Sequence, residues 1–444
     1  ASERARKGKG PSVIISDVVR LLPHSSSDDH AKYRSTKELD DDKKRDPLVL
    51  FKNECIKNKI INSKEFEDLE QSIKEQVDLD TEWAELQDDP EPNSFSKNLF
   101  SDNININFSD ESDIHQIESD KCVMVDAINH ALSEELDKNK KMILFGQDIA
   151  GGKGGVFTAT RGLTEKFGSD RVFNSPLAES SIIGTAIGMA TLGYKPVVEI
   201  QFGDYIWTAM MQIRNELATL RYRSNGDWYC PLVVRVPVGG YIHGSLCHSQ
   251  SIDGYFAHLP GVYIAYPSNA ADAKALLKTA CRMDDPVLFL EHKGLYRQNY
   301  ASANEPDANT LLEFGKGRYI SVGNDITIIT WGAIVQKSLE AVKELGVSAD
   351  IIDLRTLYPL DMNIIKESVS KTNRIVIAHE DNLTNGFGGE ISAQISEHLF
   401  EFLDAPILRV ASKDLPIAYS SVLEENILVQ TNWIKDAINK TINF

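Results

Sequence analysis

The segment SPLAESSIIG, residues 175–184, places one carboxylate, Glu179, among small and apolar residues where a helix begins. A carboxylate in a first helical turn is favoured by the helix dipole, by about 0.3–1 kcal/mol. Its flanks, Leu177, Ala178, Ile182 and Ile183, predict burial, and a buried carboxylate needs a hydrogen-bond partner. Gly184 and Gly188, four residues apart, would let another backbone approach closely. Two readings stand: a plain helix-start carboxylate, or a buried acid at a close-packed interface whose hydrogen-bond partner comes from outside the chain.

The histidines offer acid–base chemistry in loops. His24 sits in LLPHSSSDD beside three serines and two aspartates, and His243 and His248 share IHGSLCHSQS after an apolar strand. Loops at strand ends carry chemistry, although a lone loop histidine is commonly only solvated. Their spacings make no zinc site, and no G-x-S-x-G elbow supports a serine hydrolase. The glycine run AGGKGGVF, 150–157, lacks phosphate-loop spacing and reads as a surface loop. NGFGGEI, 385–391, lies between a strand and a helix, the context of an anion site. It lacks the full dinucleotide fingerprint, so a tight glycine turn is the simpler reading.

These residues must be positioned by α/β elements. Ser175 and Pro176 form a helix entry ahead of Glu179. From about residue 121 an amphipathic helix (Val125, Ile128, Leu132, Leu136) precedes the apolar run MILFGQDI. PVVEIQF, PLVVRVPVG, VYIAYPS and PVLFLEH follow, then DITIITWG, ADIIDLRT, RIVIAHED and PILRV after a spacer. Continuously apolar short runs separated by helices suit mostly parallel sheets covered on both faces. The first stretch differs. It opens with the strand-like PSVIISDVV and ends in helices, where Phe66, Leu69, Ile73 and Val77 keep helical spacing and Asn62 or Ser63 can cap. QDDPEPNSFSKNLFSDNININFSDESD, 87–113, is polar and aperiodic, an acidic linker or a surface-hugging extension. The expected division is 1–86, a linker 87–120, a domain 121–312 and a second α/β domain 313–444.

The 444 residues carry a net charge of −18. So acidic a chain is a poor binder of nucleic acid or anionic membrane, though it suits a basic protein partner. No apolar run reaches the length of a membrane span. The five scattered cysteines, with no C-x-x-C pair, point to reduced thiols and a cytoplasmic setting.

Three stretches carry a resemblance: 171–224 (RVFNSPLAESSIIG through LATLRYRS), HGSLCHSQSIDGYFAHLPG and IDLRTLYPLD. From about Lys121 onward the chain resembles the β subunit of the thiamine-diphosphate-dependent, decarboxylating first component of 2-oxo acid dehydrogenase complexes. ARKGKGPSVIISDVVRLLPHSSSDDHAKYRS, 5–35, resembles the last cofactor-domain strand of the matching α subunit and its regulatory phosphoserine loop, which holds Ser25 here. The resemblance implies an α–β fusion of transketolase-like fold. A pyrimidine-binding domain and a transketolase C-terminal domain, both mostly parallel sheets flanked by helices, would follow a mostly helical α-subunit tail.

It implies roles as well. Glu179 would face the aminopyrimidine of thiamine diphosphate, with an apolar setting keeping its carboxyl near the proton-sharing range. Leu177, Gln201 and Tyr205 would line the ring, and Gln147 stands where many relatives carry Glu. His24 would assist acyl transfer to lipoyl, Arg20 would position phosphate or substrate, and His248 would enter from a partner subunit. K+ is expected near Cys281 and Asp284. The α subunit's Gly-Asp-Gly and Asn-Asn motifs for Mg2+ do not occur in the sequence, and are expected upstream of Ala1. HSSSDDHAKYRS and EIQFGDYI favour a branched-chain substrate of the 2-oxoisovalerate type over pyruvate or acetoin. The implied partners are a lipoyl-bearing acyltransferase and a second α–β unit in a dimer. The alternative of another class is a truncated, non-catalytic chain that keeps its docking surfaces.

Overall fold

The computed structural model describes residues 1–102, 106–115 and 117–444. The chain forms two compact units, Ala1–Ser94 and Phe95–Phe444.

The first unit is built on helices at Thr36–Lys44, Pro47–Lys57 and Ser63–Glu85. Each start is chemically marked. Ser35 accepts from Glu38 N–H, Asp46 accepts from Leu48 N–H ahead of Pro47, and Asn62 and Glu65 form a reciprocal capping box. The strand-like run 11–19 is not a strand: Val13, Ile14, Ile15 and Val18 are exposed. A strand needs a neighbour's ladder to satisfy its backbone, and among the described residues of this unit none pairs with it.

Among its described residues the second unit holds fourteen strands. In chain order they are β1 Lys121–Cys122, β2 Met142–Gly146, β3 Val172–Asn174, β4 Lys195–Glu199, β5 Val233–Val238, β6 Tyr263–Ala265 and β7 Val287–His292. Then come β8 Ala303–Asn304, β9 Arg318–Ser321, β10 Ile326–Thr330, β11 Ala349–Asp353, β12 Thr356–Tyr358, β13 Ile375–Asn382 and β14 Leu408–Ser412. The main sheet runs β12-β6-β7-β5-β4-β2-β3 and the second β14-β13-β10-β11-β9; β1 and β8 pair apart. Within each large sheet only one edge pairing is antiparallel, β12 with β6 and β9 with β11. The two mostly parallel, helix-flanked sheets agree with the sequence expectation, and their strands are buried because helices cover both faces. β12 lies sequentially among the strands of the second sheet yet pairs at the edge of the first, lacing the two together.

From Phe95 on, the polar stretch ahead of β1 is tied down on this unit. Of residues 87–120, numbers 103–105 and 116 lie outside the described residues. Phe100 packs on Tyr263 at 4.5 Å, Ser101 N–H donates to Asp285, and Ile114 is fully buried. The Arg355 guanidinium, fully buried, pairs with Glu111 and, at 3.0 Å, with Asp272.

Between the sheets lie two buried acids. Asp253 accepts from Trp331 Nε1 at 2.9 Å, and its second oxygen has no partner. Burial, then the nearby Asp381 carboxylate, hold its pKa well above the usual range. Burial raises Asp381 to about 6, against the pull of N–H groups from Asn382 and Gly254. An acid with a raised folded pKa favours the folded state fully below its unfolded value, and that contribution is lost as pH rises through the folded one. For Asp381 the window runs from the ordinary carboxylate range up to about 6. Asp253→Asn keeps the shape of the protonated acid and removes the titration. Urea denaturation should show stability at pH 7 equal to or above wild type, with a shallower decline between pH 4 and 7. A marked loss at pH 7 would mean that Asp253 is charged there.

Candidate active site

The candidate site lies at the carboxyl ends of β2, β4 and β5, where parallel sheets bind ligands. β3 leads into the helix Glu179–Thr191, whose first residue is Glu179 itself. Ala178 is the N-cap, without a side-chain bond, so Ser175 and Pro176 precede the helix rather than start it. Two neighbours hold the carboxylate. Gln147, just past β2, donates Nε2 to Oε1 at 3.0 Å, and Thr208 donates its hydroxyl to Oε2 at 2.9 Å. Gln147 is buried and its own Oε1 has no partner.

Glu179 is half-buried, and this corrects the expectation of a raised pKa. Burial pushes its carboxyl up, but bonds from Gln147, from its own N–H and from Thr208 together outweigh that push and bring it below the ordinary value. The close-approach reading of Gly184 and Gly188 also fails within this chain. A Cβ on Gly188 would meet nothing within 4 Å, and one on Gly184 only the Gln212 side chain at 3.9 Å.

After β4, Phe202 and Tyr205 stand edge to face at 5.4 Å, and Phe202 meets the His248 ring at 4.6 Å. The Tyr205 hydroxyl lies 2.8 Å from His248 Nε2, while His248 Nδ1 lies 3.2 Å from the Gly244 carbonyl. A carbonyl only accepts, so Nδ1 carries the proton and Nε2 accepts from Tyr205. His248 reaches this cluster within its own chain. Gln201 is buried and donates to Asp148 Oδ2 at 3.2 Å, and Lys153 of the glycine loop pairs with the same carboxylate. Leu177 is 81% exposed beside Glu179. His243 is spent on Glu424, 2.8 Å away. In NGFGGEI the glycines pack on buried His379, where a Cβ on Gly386 would come within 2.5 Å of the ring.

His24 and Arg20 belong to the first unit. There Arg20 donates to the Tyr33 hydroxyl at 2.9 Å, and both that hydroxyl and the His24 N–H donate to Asp28. The loop is a self-bonded structure around Asp28, whose pKa is lowered first by Tyr33.

Sequence reasoning missed Thr208, Phe202 and the ion cluster beneath them. Arg235, fully buried in β5, donates to Glu199 on β4 at 2.8 Å and to both oxygens of Glu291 on β7. An arginine inside PLVVRVPVG was the available signal, since a charge in an apolar strand demands a partner.

Three families match in order along the chain: "Dehydrogenase E1 component" over 1–93, "Transketolase, pyrimidine binding domain" over 120–299 and "Transketolase, C-terminal domain" over 315–434. The 2-oxoisovalerate dehydrogenase subunit beta of Bacillus subtilis is 45% identical over 324 residues, 72% of this chain and 98% of that protein. The pyruvate dehydrogenase E1 component subunit beta of the same organism is 42% identical, covering 67% of this chain and 91% of that one. The chain belongs to the β-subunit family of 2-oxo acid dehydrogenase first components. A segment matching the dehydrogenase E1 family precedes that part. A solved split-gene transketolase, an inactive beta4 tetramer, shares the fold at 23% identity, with a TM-score of 0.58 over 72% of this chain and 98% of its own.

Thiamine diphosphate is the cofactor of this family, and the site fits its pyrimidine half. It offers a carboxylate, an unpartnered buried amide oxygen and an aromatic wall. Among the described residues no group of three His, Cys, Asp or Glu could hold an ion. No described helix is long and apolar enough to cross a membrane.

Near Cys281 and Asp284, where K+ was expected in this first-component chain, the structure places a fixed cation instead. Lys195, buried, donates its ammonium to the Met283 carbonyl at 2.8 Å. Burial lowers its pKa to about 8, while Cys281, Asp284, Cys230 and Asp285 act to raise it. A second cation there would meet like charge. The unfolding midpoint should therefore be the same in K+ and Na+ at matched ionic strength. Lys195→Met, which leaves the Met283 carbonyl unpaired, should cost about 1–3 kcal/mol. A midpoint raised specifically by K+ in wild type would restore the bound-ion reading.

Proposed function

We propose that this chain forms the pyrimidine-facing half of the active site in the first component of a branched-chain 2-oxo acid dehydrogenase. The enzyme would decarboxylate a 2-oxoisovalerate-type acid oxidatively and pass the acyl group to the lipoyl arm of an acyltransferase. The observation that carries the reading is the Glu179 carboxylate, held from two sides by Gln147 and Thr208 in the region matching the pyrimidine-binding family.

Thiamine diphosphate, when bound, supplies an acidic ring carbon that adds to the keto group and takes up the electrons of decarboxylation. The chain's own residues do the rest. Glu179 holds a proton toward a ring nitrogen, and a base that shares its proton offsets the acidifying bonds from Gln147 and Thr208. Leu177 and Tyr205 line the ring, Tyr205 fixed by His248. Gln201 and Gln147 brace the strand ends behind it, Gln147 as a neutral contact where a glutamate would add charge. His24 serves the acyl transfer and Arg20 orients an anionic group. The acidic chain suits a basic docking module of the acyltransferase core on the C-terminal domain, and two α–β units associate as a dimer. The free state of all five cysteines accords with a reducing compartment.

The branched-chain assignment rests on 2-oxoisovalerate dehydrogenase β subunits, two at 45% and two at 42% identity, against 42% to a pyruvate β subunit. In the assembled enzyme with an artificial electron acceptor, kcat/KM should be higher for 2-oxoisovalerate than for pyruvate. Glu179→Gln should lower that rate by about 10²–10⁴-fold with an unchanged circular dichroism spectrum. A near-wild-type rate in the variant removes the acid role, and a preference for pyruvate removes the substrate assignment.

His24→Ala should harm the lipoyl-dependent reaction more than decarboxylation with the artificial acceptor. Equal losses in the two assays would leave His24 a cofactor-holding residue only.

A further inference from the structure

The loop after β5, residues 239–250, carries His248 to Tyr205 along a strained backbone. Tyr241, His243 and Ser245 take left-handed φ values of +61°, +57° and +60°. Bulky side chains are uncommon there, and such a path persists where the surroundings hold it. The root of the loop is well held. Gly239 N–H donates to the Gln250 carbonyl at 3.1 Å, and the Gly239 carbonyl accepts from the buried Lys293 ammonium. Gly240 N–H donates to Glu380, and the Tyr241 hydroxyl donates to the Val429 carbonyl at 2.8 Å.

Beyond Tyr241 the support narrows to one side chain. Leu246 and Cys247 are exposed, so packing does little there. Among the described residues, Glu424 is the only group outside the loop that hydrogen-bonds residues 242–247. It is buried in the helix Ser421–Ile427, 181 residues along the chain from its partner. Its Oε1 accepts from the His243 N–H at 3.1 Å, and its Oε2 lies 2.8 Å from His243 Nδ1. His243 is thus held by backbone and side chain, which fixes where Gly244 begins.

The Gly244 carbonyl faces His248 Nδ1 at 3.2 Å. The approach is close enough to need glycine: a Cβ on Gly244 would lie 2.7 Å from Ser249 Oγ and 2.9 Å from His248 Cβ. A carbonyl at Nδ1 keeps the proton on that nitrogen and leaves Nε2 to accept from the Tyr205 hydroxyl. If the carbonyl turned away, that tautomer would lose its support and Tyr205 its acceptor. We propose that Glu424 is a positioning residue for His248: through His243 it places the Gly244 carbonyl, which sets the His248 tautomer and its bond to Tyr205. The effect on rate rests on the reading of the Glu179 site as the active site, whereas the placement of His248 is a property of this chain alone.

The full chain, labelled with 15N-histidine and free of cofactor, tests the placement by NMR at mildly alkaline pH. The His248 signals are those missing from His248→Asn, and in wild type Nδ1 should carry the proton. Glu424→Gln keeps an oxygen for the His243 N–H and should retain that tautomer. Glu424→Leu keeps bulk in the buried position without an acceptor, and should shift His248 toward protonation at Nε2. Glu424→Asp, one methylene shorter, should show the same shift in part, and decides the question if Glu424→Leu does not fold. In the assembled enzyme, Glu424→Leu should lower kcat/KM for 2-oxoisovalerate by about 10–100-fold. It should add no further loss to His248→Asn. An unchanged His248 tautomer in the Leu and Asp variants, or losses that multiply in the double variant, would overturn the proposal. A wild-type enzyme inactive on every 2-oxo acid would instead remove the functional reading and leave the NMR result to decide the positioning.

Discussion

One guanidinium sits at the centre of the main sheet, and the site above depends on it. Arg235 on β5 bridges Glu199 on β4 and Glu291 on β7, and the Tyr296 hydroxyl adds a bond to Glu291 at 2.6 Å. Two carboxylates share one full cation, so the cluster is short of positive charge. Burial, with Glu291 adding to it, accordingly holds the Glu199 pKa above its usual value despite Arg235. Such a cluster adds little net stability compared with an apolar core. Removing one member, however, leaves a buried charge alone, at about 3–5 kcal/mol. Its value is in register: Glu199 lies directly opposite Arg235, and a one-residue slip of either strand would put the two side chains on opposite faces.

That register sets where the strands end, and the site consists of strand ends. Gln147 follows β2, Glu179 follows β3, Tyr205 and Thr208 follow β4, and His248 lies in the loop after β5. The glycine loop 150–157 closes over the same centre. A Cβ on Gly155, whose φ is +82°, would lie 3.3 Å from Glu199 Oε1, so glycine is needed there for both conformation and space. The loop's Lys153 and Gln201 then share Asp148. A chain of contacts thus runs from the ion cluster to the wall behind Glu179.

The two sheets meet through a second set of buried polar groups. Asp253, Trp331, Asp381, Glu380 and His292 come from both sheets, and none faces bulk water. Apolar packing fills most of the space, with Ile252, Phe256, Ile377 and Ile391 in one continuous core. Such packing is tolerant of small slides, whereas a hydrogen bond is directional. The polar groups fix one arrangement, and a cavity beside His292 is left where the two walls do not fully close.

The sequence by itself determined the local elements and the family. Short apolar runs became β2, β4, β5 and β7 because a doubly covered strand is apolar at every position, and Asn62 capped its helix through purely local bonds. Glu179 stood out because a charge among apolar neighbours is a local anomaly. The run 11–19 carried the same apolar signal without becoming a strand, since ladder formation requires a second segment. Only the tertiary structure decided what Glu179 touches. Thr208 lies 29 residues away and Gln147 lies 32 away, and neither looks unusual in its own segment. Its pKa direction followed from those bonds, so a sequence that predicted burial gave the wrong sign. The meeting of Arg235 with Glu291, 56 residues on, and of Lys195 with Met283, 88 residues on, likewise depends on strand order. Periodicity and capping are written within a few residues, whereas hydrogen-bond partners, charge balance and cavities are properties of segments that only folding brings together.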